Sequence, residues 1–163
     1  MPNWTQNTLT IGFTSEQAKK DFLQKNIIND ELDYNAVLPM PSELEGISKG
    51  HTNIDGVSYS NWRESGDGTR VGVSEAEIVQ LQTKYGAKDW YEWATSNWGV
   101  KWNACDTEVH ENATDITINW SSPWSTPDGW IYAMIEAYYD TIEFAHLEAT
   151  FEGDDEVVSE VLV

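Results

Sequence analysis

Ile116, Ile118 and Trp120 alternate with Thr117 and Asn119, and this period-two pattern is the tightest constraint on the fold. Successive side chains of an extended strand point to opposite faces, so the segment Thr114–Trp120 reads as a strand with one face buried. Leu9, Ile11 and Phe13 repeat the pattern in a first strand, Thr8–Phe13. Lys101–His110 reads as the antiparallel neighbour of Thr114–Trp120, across the turn Glu111–Ala113. Thr141–Phe151 is the last strand of the set.

Helical spacing fills the intervals. Thr14 or Ser15 caps a helix running to Lys25, with Ala18, Phe22 and Leu23 as its apolar stripe. Tyr34–Leu38 then reads as a second strand, ended by Pro39 and Pro41. Ser74, with Glu77 three residues later, caps a helix to Tyr85 that Gly86 stops. Asp89 caps a shorter helix holding Trp90, Trp93 and Asn97, which ends at Gly99. Trp130, Ala133, Met134, Ala137 and Tyr138 share one face of a helix spanning Asp128–Tyr139. This order predicts an α+β fold: a ferredoxin-like antiparallel sheet with helices on one face and two inserted helices before a β-hairpin. Residues 1–163 read as a single domain. It contains an irregular insertion at about 44–72, with six glycines, and an acidic C-terminal tail at 152–163 that is either frayed or a short edge strand.

The formal charge is −19, and twelve of the 28 acids lie between Glu111 and Val163, where there is no Lys or Arg. Such a field repels phosphate, so no direct nucleic-acid binding is expected; it attracts proteins with basic, nucleic-acid-binding surfaces. Glu143, Glu148, Glu152, Asp154, Asp155, Glu156 and Glu160 are the candidate contacts with such a partner. Ordinary solubilising acidity is the competing explanation. No apolar run approaches the roughly 20 residues that cross a bilayer, and the opening residues lack the pattern of a secretory signal. Cys105 is alone. A reducing, cytoplasmic setting without a membrane is therefore expected.

Trp4, Trp98, Trp102, Trp120 and Trp124 fall at strand ends or in loops, and Lys101 stands among them. They read either as a pocket for a small, nucleotide-like ligand or as rings that plug the end of the sheet. Lys101 is the last basic residue of the chain, so it is expected to be paired with the C-terminal carboxylates or open beside a pocket. His51, His110 and His146 show no ligand spacing, the acids show no calcium-loop pattern, and no phosphate-binding glycine motif occurs. No metal or cofactor is expected. Acid catalysis by Glu143 with Glu148, or base catalysis by Pro2 as an N-terminal amine, are the enzymatic alternatives.

Several stretches carry a family resemblance. MPNWTQNTLTI resembles the MPNWCxNxLxI opening of the YubB ferredoxin-like domain family, which includes phage proteins. The likeness continues through VLPMP at Val37–Pro41, GAKDWYEWATSNWGVKWNA at Gly86–Ala104, the proline-tryptophan loop at Trp120–Trp124, and FEG at Phe151–Gly153. Thr5 replaces the family's early cysteine, and the loop is stretched into Trp124-Ser125-Thr126-Pro127. The resemblance implies a ferredoxin-like fold and a phage or plasmid setting, within a bacterial host's cytoplasm, but no reaction. Together with the charge, it leads to the expectation of a non-enzymatic protein that inhibits a host (defence) protein through an acidic, DNA-mimicking surface. A nucleotide-signal binder using the Trp/Lys pocket, or a structural interaction module, are the alternatives.

Overall fold

Alternation at Leu9/Ile11/Phe13 and Ile116/Ile118/Trp120 produces two central strands whose inner side chains are fully buried. In a computed structural model of the chain, residues 3–154 and 156–163 are described. In chain order the elements are β1 (Trp4–Phe13), α1 (Glu16–Asn26), β2 (Ile27–Ile28), β3 (Glu31–Leu32), α2 (Ser42–Glu45), β4 (Ile47–Ile54), β5 (Val57–Glu64) and β6 (Arg70–Gly72). There follow α3 (Glu75–Tyr85), α4 (Trp90–Asn97), β7 (Cys105–Glu111), β8 (Asp115–Pro123), α5 (Asp128–Tyr138), β9 (Ile142–Phe151) and β10 (Val157–Val161). The fold is α+β. Backbone contacts divide it into two compact units, one with the chain up to Pro39 and from Trp98 on, the other spanning Met40–Asn97.

The first unit holds a five-stranded antiparallel sheet in the order β10-β9-β1-β8-β7. Leu9 stands between Ile118 and Leu147 in the register, and Ile11 between Ile116 and Ala145, so these residues share the inner face. Both long helices of the unit cover that face. Phe22 of α1 packs on Phe13 at 5.3 Å between ring centroids, and Trp130 of α5 packs on Trp120 at 6.2 Å. Ser15 caps α1 by accepting the Ala18 N–H at 3.1 Å. The other face is polar: Thr8 donates to Asn119 at 2.8 Å, and the hydroxyls of Thr10 and Thr117 lie 3.3 Å apart.

Tyr34–Leu38 is not a strand. Tyr34–Ala36 forms a 3-10 turn, because side chains capture its backbone donors: Asn103 accepts the Tyr34 N–H at 2.8 Å and Asp33 accepts the Asn35 N–H at 3.0 Å. Lys101–Ala104 likewise lies outside the strand expected there, and β7 begins at Cys105. The C-terminal segment takes the edge-strand alternative, with Val157–Val161 pairing antiparallel to β9.

In the second unit, the stretch expected to be irregular is instead a three-stranded sheet in the order β4-β5-β6. Gly56 serves its hairpin turn, whereas Gly50 and Gly72 lie within β4 and β6. Asp55 and Gly56, at φ 51° and 80°, make the two-residue connection that the right-handed strand twist favours in a hairpin. The caps on α3 and α4 form as the sequence predicts: Ser74 accepts the Glu77 N–H at 3.2 Å, and Asp89 accepts the Glu92 N–H at 2.9 Å.

Candidate functional site

The six residues expected to form a Trp/Lys pocket separate into two groups within the first unit. Trp98 and Trp120 belong to the core. Trp98 is 4 % exposed and donates its indole N–H to the Leu38 carbonyl at 2.8 Å. Trp120 is 1 % exposed and donates to the Tyr34 hydroxyl at 2.7 Å. Strand parity explains the second placement, since Trp120 lies in phase with Ile116 and Ile118. The other four residues meet at the surface. The Lys101 ammonium sits 3.9 Å from the ring centre of Trp102 and 4.1 Å from that of Trp124, while Trp4 lies 6.2 Å from Trp102.

Lys101 is thus satisfied by two indole faces, which attract a cation through their negative quadrupole faces. Among the described residues no carboxylate lies within ion-pair distance of it. Trp124, 47 % exposed, has φ 72°, a left-handed conformation that is uncommon for so large a residue. Its N–H donates to the Asn3 carbonyl at 2.8 Å, and Ser122 donates to the Ser125 carbonyl at 2.6 Å, so the loop is tied on both sides of the ring.

The acidic candidates do not converge on one patch. Glu143 stands at the start of β9 and Glu152 just beyond its end, roughly 30 Å apart for nine extended residues. Glu148 is paired with Ser159, whereas Glu160 is paired with Leu147 of the inner face, so these two carboxylates point to opposite sides of the sheet. Glu160 accepts from Tyr132 at 3.4 Å, and its charge holds that phenol above its ordinary pKa. Glu152 accepts the Trp4 N–H at 2.7 Å, and Asp154 accepts the Glu156 N–H at 3.0 Å. Asp155 and Pro2 lie outside the described residues. Glu143 and Glu148 are about 17 Å apart along the strand, too far to act on one substrate atom.

Two of the acids, Glu156 and Glu160, stand at an edge strand. β10 pairs with β9 on one side, and Val157, Val158 and Val161 are 54, 52 and 75 % exposed. Glu156 immediately precedes the strand and Glu160 lies within it.

The second unit carries clefts of its own, at residues the sequence did not single out as functional. One, of about 590 Å³, is lined by Glu43, Arg63, Glu77, Lys84 and neighbours. Its charges neutralise each other: Arg63 pairs with Glu77, and Lys84 with Glu43 at 2.8 Å. The hydrogen bond from Lys84 holds the Glu43 carboxyl below its ordinary pKa. Another cleft, of about 410 Å³, is lined by Ser48, Lys49, Trp62, Trp90 and Tyr91. The Asp55-Gly56 pair, flanked by Ile54 and Val57, is the sequence signal that marks this unit's hairpin. His51 and His146 each bond a serine hydroxyl, at 2.7 and 2.6 Å, and the described residues contain no group of His, Cys, Asp or Glu suited to a metal ion. No helix among the described residues is long and apolar enough to cross a membrane.

No family model, curated protein or solved structure matches the chain.

Proposed function

We propose that this chain is a non-enzymatic binding protein that captures a basic, extended segment of a partner protein along the free edge of β10. One observation carries the reading: an edge strand with three exposed valines lies in a stretch of twelve acids without a Lys or Arg. An edge strand presents alternate N–H and C=O groups with no partner, and a second extended chain pairs with them readily. Val157 and Val161 on one face of the strand, and Val158 on the other, supply apolar contact. Charge selects the occupant. A second copy of the chain brings another −19 to the same edge, whereas a segment rich in Lys or Arg is drawn to it. Glu152, Glu156 and Glu160 then act at the rim, speeding association more than deepening it.

In this proposal the partner is a host protein with a basic, nucleic-acid-binding surface, and the setting is a phage or mobile element. The acidic charge supports the partner class, and the YubB-like stretches support the setting. The proposal also takes the first unit as a ferredoxin-like domain with β10 added at its edge. Support for that comes from the order β9-β1-β8-β7, with α1 following β1 and α5 following β8, and both helices on one face.

The test is titration with a peptide of alternating valine and lysine, at low and moderate salt. The proposal predicts salt-sensitive binding to the native chain and a loss of at least about tenfold when Glu148, Glu152, Glu156 and Glu160 are all changed to Lys. Equal binding by the two proteins contradicts it.

A further inference from the structure

Charge is unevenly divided between the two units. The first carries nineteen acids against four bases, the second nine against five. Within the second unit, the cleft lined by Ser48, Lys49, Trp62, Trp90 and Tyr91 contains a cation and three aromatic rings but no carboxylate.

Trp62 of β5 is opposed by Ser48 on β4 and by Gly72 on β6, and the Tyr59 ring fills the space beside Gly72 that a side chain there would take. The Arg70 guanidinium lies over one face of the Trp62 ring, 4.1 Å from its centre, which leaves the other face for a stacked ligand. Trp90 and Tyr91, in the first turn of α4, brace each other edge to face at 5.8 Å. Lys49 also borders an adjoining cleft that contains Glu75, Asp89 and Glu92. Two of those carboxylates are held by other groups: Asp89 accepts from Asn61 and from the Glu92 N–H, and Glu92 accepts the Lys88 N–H at 3.0 Å.

We propose that this cleft binds a planar aromatic ring carrying one anionic group. The ring stacks against Trp62 and Trp90, and the anion meets the Lys49 ammonium. The volume of about 410 Å³ suits a ligand of nucleoside monophosphate size. Stacking on tryptophan tolerates any flat ring, so the positive charge, and not the ring's identity, sets the ligand class. This site is independent of the β10 edge and stands or falls separately from it.

The experiment is titration of the full chain with adenosine monophosphate, indole-3-acetate, adenosine and inorganic phosphate, followed by tryptophan fluorescence and calorimetry. The first two probes separate a nucleotide site from one for aromatic carboxylates. Saturable quenching is expected with at least one of these two. Adenosine and phosphate should bind about tenfold more weakly or not at all, because each supplies half of the interaction. Lys49→Gln, a change at an exposed side chain, should weaken the anionic ligand about tenfold, and Trp90→Ala should do the same. Trp90→Phe keeps a ring and should retain binding, and Lys101→Gln in the other unit should leave it unchanged. The proposal is overturned if neither anionic probe saturates at millimolar concentration, or if Lys49→Gln binds as the native chain does.

Discussion

The indole N–H of Trp120 donates to the phenol oxygen of Tyr34 across 2.7 Å, with both side chains fully buried. The Tyr34 ring also lies 4.9 Å from Trp130 and 5.6 Å from Trp98, so one phenol joins the sheet, α5 and the stretch after α4. Removing its hydroxyl keeps the ring packing but strands a buried indole donor. Tyr34→Phe should therefore cost about 1–3 kcal/mol, read from the midpoint of chemical unfolding. A loss below about 0.5 kcal/mol would mean that this hydrogen bond contributes little net stability.

The same burial gives a pH dependence. Desolvation pushes the Tyr34 phenol far above its ordinary value of 10.0, while the unfolded chain releases the proton near that value. The stabilising contribution is therefore complete below about pH 10 and falls away as pH rises further. Alkaline unfolding of the native chain should be steeper above that point than that of Tyr34→Phe. Equal steepness would assign alkaline unfolding to other groups.

Trp124 holds a left-handed backbone at φ 72°, which favours glycine over any residue with a Cβ. Trp124→Gly and Trp124→Ala both delete the ring and its contact with Lys101. The glycine variant should nevertheless be more stable than the alanine variant by about 1 kcal/mol, since it alone relieves the backbone. The reverse ranking, in thermal unfolding, would mean that the loop leaves this conformation once the ring is gone.

Thr5 is 0 % exposed, and its hydroxyl has no hydrogen-bond partner among the described residues. Valine matches its shape without a polar atom to bury. Thr5→Val should raise stability by roughly 1 kcal/mol, because an unpaired buried hydroxyl opposes folding. A comparable loss would point to a bound water on the Thr5 hydroxyl.

The parts of the fold that were legible in the sequence are those fixed by local chemistry. Alternation located β1 and β8, and Ser74 and Asp89 located the starts of α3 and α4. Tyr34–Leu38 departs from the strand its local pattern predicts because the Asn103 side chain that captures its backbone lies far along the chain, beyond the reach of any local pattern. The three-stranded sheet was missed for a different reason: β5 and β6 expose most of their side chains, so they show little apolar alternation.

The candidate sites divide in the same way. Parity with Ile118 points Trp120 into the core, against its place among the pocket candidates, and parity also separates Glu148 from Glu160 once the β9–β10 register is known. The backbone of Trp124 and the position of Lys101 between two rings depend on loop closure, which composition does not encode.

Amide hydrogen exchange along β10 tests the central claim most directly. When a saturating basic, valine-rich peptide is bound, the amides of Val157–Val161 that face away from β9 should exchange markedly more slowly, while those of β7 at the opposite edge stay unchanged. Unchanged exchange along β10 in a chain saturated with the peptide would contradict the account.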